Sequence, residues 1–233
     1  GCDLLAASGF PRDRLTPAQV QALISVLRAR AGARDGYADF RARHPVRPDD
    51  VPALWWRARG VHLCANAVPE MLACARAARE AGLCITLDPG FRVSQLGADD
   101  LATLLDLVDA FLPSAKELAV LRPGLPPEEA LSSLGEGRRC IVGVKRGAQG
   151  ATIRLPEDGA ILSMPALRVE AIDPVGAGDA FCGGFLAGLA DASPPAACLE
   201  RAIAAGAAAA SSSGVAALVA LSHMNISDRS LRP

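Results

Sequence analysis

The chain has 233 residues, enough for one sizeable hydrophobic core and close to the upper limit of a single domain. Hydrophobic residues make up 51% of it and the formal net charge is −1, which excludes a disordered chain and provides no field that would attract nucleic acid. We therefore expect one domain over residues 1–233, with a small molecule as its partner.

The first predicted element is a helix over residues 17–31, in which the apolar residues recur at helical spacing. Thr16 is placed to cap this helix and Pro17 to begin it. A polar interval, 32–52, follows and is dense in arginine, aspartate and proline. This composition predicts a surface loop or linker.

A strand–helix–strand unit begins at Gly60. The segment GVHLCA predicts a short strand, residues 68–81 carry an apolar helical face, and Gly82 is placed to end that helix. The next segment, LCITLD, is apolar until Asp88, as expected of a strand buried on both faces. A unit of this length predicts two parallel strands joined by a right-handed crossover.

The alternation of helices and strands continues to residue 212. The sequence predicts helices near 98–106, 114–120, 127–133, 178–190 and 196–212, strands near 108–112 and 140–145, and a hairpin of strands at 150–154 and 160–164. This order predicts an α/β fold with an open, mostly parallel sheet and helices on both faces. Ligands of such sheets bind beyond the carboxyl ends of the strands, so Asp88 and the turn after Lys145 mark the expected site.

A glycine-rich turn with an acid stands at residues 170–190, EAIDPVGAGDAFCGGFLAGLA. If Gly176, Ala177, Gly178 and Asp179 begin a helix, the N–H groups of its first turn have no helical partner and suit an anion such as a phosphate. The same field keeps Asp179 ionised, so a base and an anion hole would stand side by side. Phosphoryl transfer to a hydroxyl needs both. For these four residues taken alone, a tight turn with an ordinary acidic helix start is the favoured explanation.

The longer stretch DPVGAGDAFCGGFLAGL resembles the C-terminal signature of the PfkB (ribokinase-like) family of carbohydrate and nucleoside kinases, D-T-x-G-A-G-D-x-F-x-x-[GA]. Pro174 replaces the threonine of that pattern. The resemblance implies a three-layer α/β/α fold, with Asp179 as the catalytic base and Gly176, Ala177 and Gly178 as the anion hole. It also implies that Asp173 lies beside a monovalent-cation site, for which K⁺ is the candidate.

Two further segments resemble the nucleotide side of the family. VKRGAQGA at 144–151 is similar to its [VT]-x-G-x-x-G segment, which implies that Lys145, Gly147 and Gly150 border the nucleotide. PSAKEL at 113–118 is similar to P-N-x-x-E-[LA]. There Glu117 would organise Mg²⁺ through water, and Ser114, which replaces asparagine, would lie at the nucleotide.

A third segment, DPGFR at 88–92, resembles D-P-N-x-R. The resemblance places Asp88 and Arg92 at the phosphate edge of the active site, and Gly90 replaces the asparagine. All four segments stand in the order that the family has them.

The resemblance extends from about residue 60 to the end of the chain, and residues 1–59 look like a shortened, poorly matched part without the family's G-G-x-x-x-N segment and β lid. Two interpretations follow. One is an ATP- and Mg²⁺-dependent kinase that phosphorylates a hydroxyl of a sugar or nucleoside. The other is a non-catalytic or regulatory protein that binds a nucleotide or a partner without turnover. A missing lid would expose a sheet edge, which a second subunit in a homodimer could cover. A dehydrogenase is disfavoured, since no glycine fingerprint follows the first strand.

The cysteines and histidines predict neither disulfides nor a metal site. The seven cysteines include no C-x-x-C pair and mostly lie in apolar runs, which predicts buried reduced thiols and a cytoplasmic protein. The three histidines are far apart and lack metal-ligand spacing, so no zinc is expected. No apolar run reaches the ~20 residues that span a bilayer, and the first residues do not resemble a signal peptide.

Overall fold

The computed structural model describes Thr16, residues 43–64 and residues 66–212. The helix predicted over 17–31 lies outside the described residues. The chain forms two compact units, 1–45 and 46–233, and every element below belongs to the second unit. The boundary at Pro45 falls inside the interval that the sequence predicts to be a loop or linker.

The described part of the second unit is an alternation of strands and helices. The strands are β1 (Gly60–Cys64), β2 (Cys84–Asp88), β3 (Ala110–Phe111), β4 (Ile141–Lys145), β5 (Ala151–Arg154) and β6 (Ile161–Met164). The helices are α1 (Val68–Glu80), α2 (Ala98–Leu107), α3 (Ala115–Leu121), α4 (Pro127–Gly135), α5 (Ala177–Ala190) and α6 (Pro195–Ala210). Short 3₁₀ turns cover Pro48–Asp50, Trp55–Arg57, Gly90–Gln95 and Gly147–Gln149. Each element predicted from Gly60 onward is confirmed, with ends that shift by a few residues.

The six strands form one mixed sheet in the order β1-β2-β3-β4-β5-β6. Strands β1 to β4 are parallel, and β5 and β6 add to β4 as an antiparallel hairpin. In this register Cys64 pairs with Asp88, so the carboxyl ends of β1 and β2 stand level. The mostly parallel sheet and the terminal hairpin are as predicted.

Helices cover both faces of the sheet. On one face the buried side chains of α1 to α4 pack against β2, β3 and β4, with Met71, Leu104 and Leu131 among the fully buried residues. On the other face α5 and α6 pack against β3, β4 and β5 around Phe185 and Leu199. The side chains of β4 alternate between these two layers, with Val142 and Val144 on one face and Ile141 on the other, which explains why this strand is apolar up to Lys145. This is the predicted three-layer α/β/α arrangement.

Small residues let α5 and α6 pack in close contact. A Cβ added to Gly184 would lie 2.8 Å from the carbonyl oxygen of Arg201, and one added to Gly188 would lie 2.8 Å from Sγ of Cys198. No side chain fits at either position without moving the neighbouring helix. Gly184 and Gly188 therefore lie in the interface of α5 with α6.

None of the six described cysteines forms a disulfide. Four of them are buried, one is half-buried and one is exposed, in the order Cys74, Cys140, Cys182, Cys198, Cys84 and Cys64. The prediction of buried thiols is thus confirmed for the four core residues and wrong for Cys64, which ends the strand β1. Among the described residues, no helix combines the length and the apolar character that crossing a membrane requires.

Candidate active site

Chemically active side chains collect where the parallel strands end. Cys64 and Asp88 are paired at the carboxyl ends of β1 and β2, and Ser114, just after β3, forms a bridge with Lys145 at the end of β4. Parallel strands end at one edge of a sheet, and this brings together residues that are up to 81 positions apart. The edge predicted from Asp88 and Lys145 is therefore the place where the polar groups meet.

Lys145 and Asp88 form a buried ion pair at this edge. Nζ of Lys145 donates to Oδ2 of Asp88, and the two side chains are only 11% and 12% exposed. Nζ also lies 3.5 Å from Sγ of Cys182. Burial acts to lower the pKa of Lys145, whereas the charge and the hydrogen bond of Asp88 act to raise it, and the balance raises it. Lys145 is therefore a fixed positive charge at neutral pH.

Cys182 contributes no charge of its own to this pair. Burial raises the pKa of its thiol to about 12, against the smaller lowering effect of Lys145. The thiol is therefore protonated at neutral pH. Asp88 is then the neighbour that holds the ammonium group in place.

The amino end of α5 stands above the Lys145 ammonium. Gly176 caps the helix in the left-handed region, at φ +82°, where glycine carries no steric cost. The N–H of Ala177 donates to Pro174 and that of Ala180 to Gly176, at 3.2 and 2.8 Å. Among the described residues, the N–H groups of Gly178 and Asp179 between them have no backbone acceptor. Of the three residues predicted to form an anion hole, Ala177 thus uses its donor within the turn, whereas Gly178 keeps an open donor in the first turn of the helix.

Gly178 brings the helix terminus and the ion pair together. A Cβ built on Gly178 would lie 3.7 Å from Nζ of Lys145. The positive end of the α5 dipole and the ammonium group therefore act at the same place, which favours an anion there. Asp179 follows in the same turn with an exposed side chain, within reach of a ligand that occupies this place.

A pocket of about 670 Å³ opens beside this helix terminus. Lys145, Gly147, Gly150 and Gly178 line it, so the turn after β4 and the start of α5 face the same space. Its apolar wall was not predicted and consists of residues from the β6–α5 connection and from α5 and α6, namely Leu167, Val169, Phe181 and Ile203. One signal in the sequence could have indicated this wall, namely the apolar residues Leu167 and Val169 in a connection that forms no helix. Both are exposed in the structure.

The two glycines after β4 are required by the backbone. Gly147 and Gly150 have φ of +57° and +88°, in the region where residues with side chains are strained. A Cβ on Gly150 would also lie 2.0 Å from the carbonyl oxygen of Met164. Both residues therefore shape the turn that forms one wall of the pocket.

Ser114 and Glu117 are bound to each other at the start of α3. The Glu117 carboxylate accepts from the N–H of Ser114 at 2.6 Å, and the Ser114 hydroxyl accepts from the N–H of Glu117 at 3.3 Å. This reciprocal capping box satisfies two donors at the helix start. In the described structure Ser114 caps α3 and does not line the pocket. Within the described part of the chain, the other carboxylate oxygen of Glu117 accepts no hydrogen bond.

The DPGFR segment forms a tight turn after β2. Gly90 has φ +57°, and its N–H donates to Oδ1 of Asp88 at 3.0 Å. Glycine and asparagine are the residues that best tolerate this backbone region, which explains why Gly90 can stand where the resembling family has asparagine. Arg92 is buried and donates to the Gln95 side chain at 2.9 Å.

Asp173 sits in a turn just before α5. Its Oδ1 accepts from the N–H of Val175 at 3.0 Å, across Pro174. The N–H of Asp173 itself donates to Ala210 at the end of α6 at 3.2 Å. The segment is thus anchored to α6, and the second carboxylate oxygen of Asp173 accepts no hydrogen bond from the residues that the structure describes.

His62 on β1 was not predicted to belong to the site. Burial lowers its pKa, although Asp88 and Asp179 act in the opposite direction. The imidazole is therefore neutral at neutral pH, and it lies close enough to both carboxylates to sense their charge.

Comparison with known proteins gives the family. The pfkB family of carbohydrate kinases matches residues 58–220, so the chain belongs to that family. An ATP-dependent ribose-1-phosphate kinase from Halopiger xanaduensis is 37% identical over 144 residues, which is 61% of this chain and 45% of that protein.

Solved structures show the same fold. A putative ribokinase II from E. coli in complex with ATP and Mg²⁺ is 27% identical with a TM-score of 0.60, over 72% of this chain and 57% of that one. The aminoimidazole riboside kinase from Salmonella enterica, complexed with aminoimidazole riboside and an ATP analogue, is 28% identical with a TM-score of 0.60, over 78% and 66%. The chain thus spans about half to two thirds of the length of the relatives it matches.

Proposed function

We propose that the chain carries the nucleotide-binding and catalytic part of an ATP-dependent kinase that transfers a phosphoryl group to a hydroxyl of a sugar or nucleoside. One observation carries this proposal: the pocket reaches the open amino end of α5, because Gly178 lines the pocket together with Lys145, and a Cβ built on Gly178 would lie 3.7 Å from Nζ of Lys145. The relatives supply the acceptor class, since they include kinases of ribose 1-phosphate and of aminoimidazole riboside.

The nucleotide base and sugar of ATP suit the apolar part of the pocket. Its volume of about 670 Å³ lies within the range of small-molecule sites, about 300–1,000 Å³. Leu167, Val169 and Ile203 provide the apolar contacts, and the glycine turn leaves room beside them. The phosphates would then point to the open N–H groups of α5 and to Lys145.

In this proposal Asp179, exposed in the first turn of α5, is the general base. Its carboxylate accepts the proton of the acceptor hydroxyl as the oxygen attacks the γ-phosphorus and the bond to the β-phosphate oxygen breaks. The N–H groups of Gly178 and Asp179 and the ammonium of Lys145 stabilise the charge that moves onto the transferred group and the leaving ADP. In this proposal Arg92 and Asp88 form the phosphate edge of the active site.

The metal ions of this reaction have candidate ligands in the chain. Mg²⁺ prefers oxygen ligands and retains water, which suits the unused carboxylate oxygen of Glu117. Bound Mg²⁺ would neutralise phosphate charge. For K⁺ we propose Asp173, whose turn leaves one carboxylate oxygen available.

Three further features complete the proposal: the location in the cell, the oligomeric state and the domain organisation. The protein works in the cytoplasm, which is consistent with buried thiols that form no disulfide among the described cysteines. A homodimer would cover the edge of the sheet at β1, which within the described residues pairs only with β2. We also propose that residues 1–59 are the shortened part of the same family domain as residues 60–233.

The test combines binding with turnover. Calorimetric titration with an ATP analogue and Mg²⁺ measures nucleotide binding, and ADP release is then followed over a panel of sugars and nucleosides. The substitution Asp179→Asn should lower turnover by about 10²–10⁴-fold and leave nucleotide affinity within a factor of about three. Asp99→Asn is the matched control, because Asp99 also stands in the first turn of a helix but away from the site.

The outcomes separate the alternatives. Equal turnover by Asp179→Asn and the parent chain would reject the base. Binding without turnover on any acceptor would favour the non-catalytic interpretation, in which the chain binds nucleotide alone. The absence of nucleotide binding would reject the proposal entirely.

A further inference from the structure

Three side chains with metal-ligand chemistry meet beside Asp179. A ring nitrogen of His62, the sulfur of Cys64 and a carboxylate oxygen of Asp179 all lie within 4.8 Å of one another. His62 and Cys64 are two residues apart on β1, so their side chains project from the same face of the sheet. Helix α5 crosses that face closely, since a Cβ on Gly60 would meet Leu186 at 2.7 Å, and its first turn delivers Asp179.

The His62 ring is held in one orientation. Its Nδ1 is 2.9 Å from the hydroxyl of Thr86, which is completely buried on β2. Within the described part of the chain, the buried Nε2 has no hydrogen-bond partner. A buried polar atom without a partner is costly, and a ligand that binds it removes the cost. A hydrogen bond from the other ring nitrogen is the usual second contact of a metal-bound histidine.

The ligand types indicate which metal would bind. Imidazole, thiolate and carboxylate together suit Zn²⁺, whereas Mg²⁺ takes oxygen ligands only. Ligands of a tetrahedral Zn²⁺ at about 2.0–2.3 Å lie roughly 3.3–3.8 Å apart, so side-chain rotations close the present spacing. Cys64 and Asp179 are exposed, which gives an ion access from solvent.

We propose that His62, Cys64 and Asp179 form a binding site for Zn²⁺ or a similar divalent transition metal, with a fourth position left for water. On binding, the Cys64 thiol loses its proton to solvent and the sulfur binds the ion as a thiolate. The Asp179 carboxylate binds the ion through one oxygen. The site was missed in the sequence because its ligands are 117 residues apart and only one of them is a histidine.

Occupancy of this site has a consequence that rests on the proposed function. A carboxylate that binds a metal cannot accept the proton of an acceptor hydroxyl. Zn²⁺ would therefore inhibit phosphoryl transfer by taking the base, and it would do so without competing for the nucleotide pocket. The metal site itself does not depend on this consequence.

Metal binding is tested without any activity measurement. The reduced, metal-free chain is titrated with Co²⁺, and the thiolate-to-cobalt charge-transfer band in the near ultraviolet is recorded. One equivalent should produce the band, and Zn²⁺ should displace it. Cys64→Ser should abolish the band and His62→Gln should weaken Co²⁺ binding at least 10-fold, whereas Cys84→Ser, the control for a thiol outside the cluster, should retain it. A parent chain without the band, or an unchanged band in Cys64→Ser, would overturn the site.

Inhibition is tested separately on the acceptor identified by the ADP-release assay. With saturating Mg²⁺ and ATP, Zn²⁺ should lower kcat of the parent chain, and Cys64→Ser should require at least 10-fold more Zn²⁺ for the same loss. Undiminished kcat at full Co²⁺ or Zn²⁺ occupancy would overturn the inhibition and the role of Asp179 as base. The metal site would then be supported only by the thiolate-to-cobalt charge-transfer band.

Discussion

Lys145 and Asp88 show how much of the site depends on single side chains. The pair is nearly excluded from solvent, and Asp88 also accepts the N–H of Gly90. A buried charge that loses its partner is strongly destabilising, whereas loss of both charges is tolerated much better. The ion pair therefore supplies charge to the site, although apolar residues could fill the same positions in the core.

We predict that Lys145→Met lowers the free energy of unfolding by about 3–5 kcal/mol, because it leaves the Asp88 carboxylate buried and unpaired. Lys145→Met combined with Asp88→Asn should recover most of that loss, since no net charge is then buried. Urea unfolding of the parent and the variants measures both effects. A double variant no more stable than the single one would show that the carboxylate is not the cause.

Glu117 offers a substitution that separates its two roles. Glutamine also completes a capping box, so Glu117→Gln removes the charge and keeps the helix cap. We predict an unfolding free energy within about 0.5 kcal/mol of the parent and a higher Mg²⁺ concentration for half-maximal turnover. A Mg²⁺ titration at fixed ATP measures this shift, and superimposable titration curves would remove Glu117 from the metal site. Glu117→Ala, which also loses the cap, is the control for stability.

At the scale of elements, α5 connects the site to the core. Its amino end carries Gly178 and Asp179, its middle packs against α6 through Gly184 and Gly188, and it also crosses β1. The position of the first turn is thus set by contacts along the remainder of the helix. Any change that separates α5 from α6 should also displace the donors of the site.

Gly183 and Gly184 are neighbours on α5 with opposite surroundings. A Cβ on Gly184 would meet Ala202 and Ala205 of α6 at 3.0 Å, whereas one on Gly183 has nothing within 4 Å. Gly184→Ala should destabilise the protein by about 1–3 kcal/mol through overpacking. Gly183→Ala should stabilise it by up to about 1 kcal/mol, because alanine favours a helix. Urea unfolding of the two variants measures the difference, and equal stabilities would contradict the close packing of α5 on α6.

At the scale of the whole molecule, the burial and half-burial of several thiols make stability depend on pH. Burial raises the pKa of Cys84 and Cys140 to about 11 and that of Cys182 to about 12, from an ordinary value of 9.0. The unfolded chain therefore releases these protons at lower pH than the folded chain. The stability that they contribute is fully present below pH 9 and is lost as the pH rises toward the folded values.

We therefore predict that the free energy of unfolding falls between pH 9 and 10.5, by up to about 1.4 kcal/mol per pH unit for each such thiol. Lys145, whose pKa is also raised, adds to the loss only above its ordinary value of 10.5. Urea unfolding under reducing conditions from pH 7 to 10.5 measures the slope. Cys140→Ala should reduce the slope by up to the contribution of one proton, about 1.4 kcal/mol per pH unit. A free energy of unfolding that is independent of pH would contradict the prediction.

The pattern of the sequence determined the class and order of the elements from Gly60 onward. Periodicity and glycine positions act locally, so strands such as β2 and helices such as α1 could be placed without the fold. The glycine-acid turn was likewise visible, because its residues are adjacent. The family resemblance then linked Asp88, Glu117, Lys145 and Asp179 into one expected site.

Only the tertiary structure decided which distant side chains touch. Three contacts join elements that are separate in the sequence. They are the ion pair of Lys145 and Asp88, the apolar wall that includes Leu167 and Ile203, and the approach of His62 and Cys64 to Asp179. The parallel register and the crossing of α5 over β1 create these contacts, and neither leaves a local signal in the chain. Sequence patterns record which face a residue presents, whereas the packing of the layers determines what that face meets.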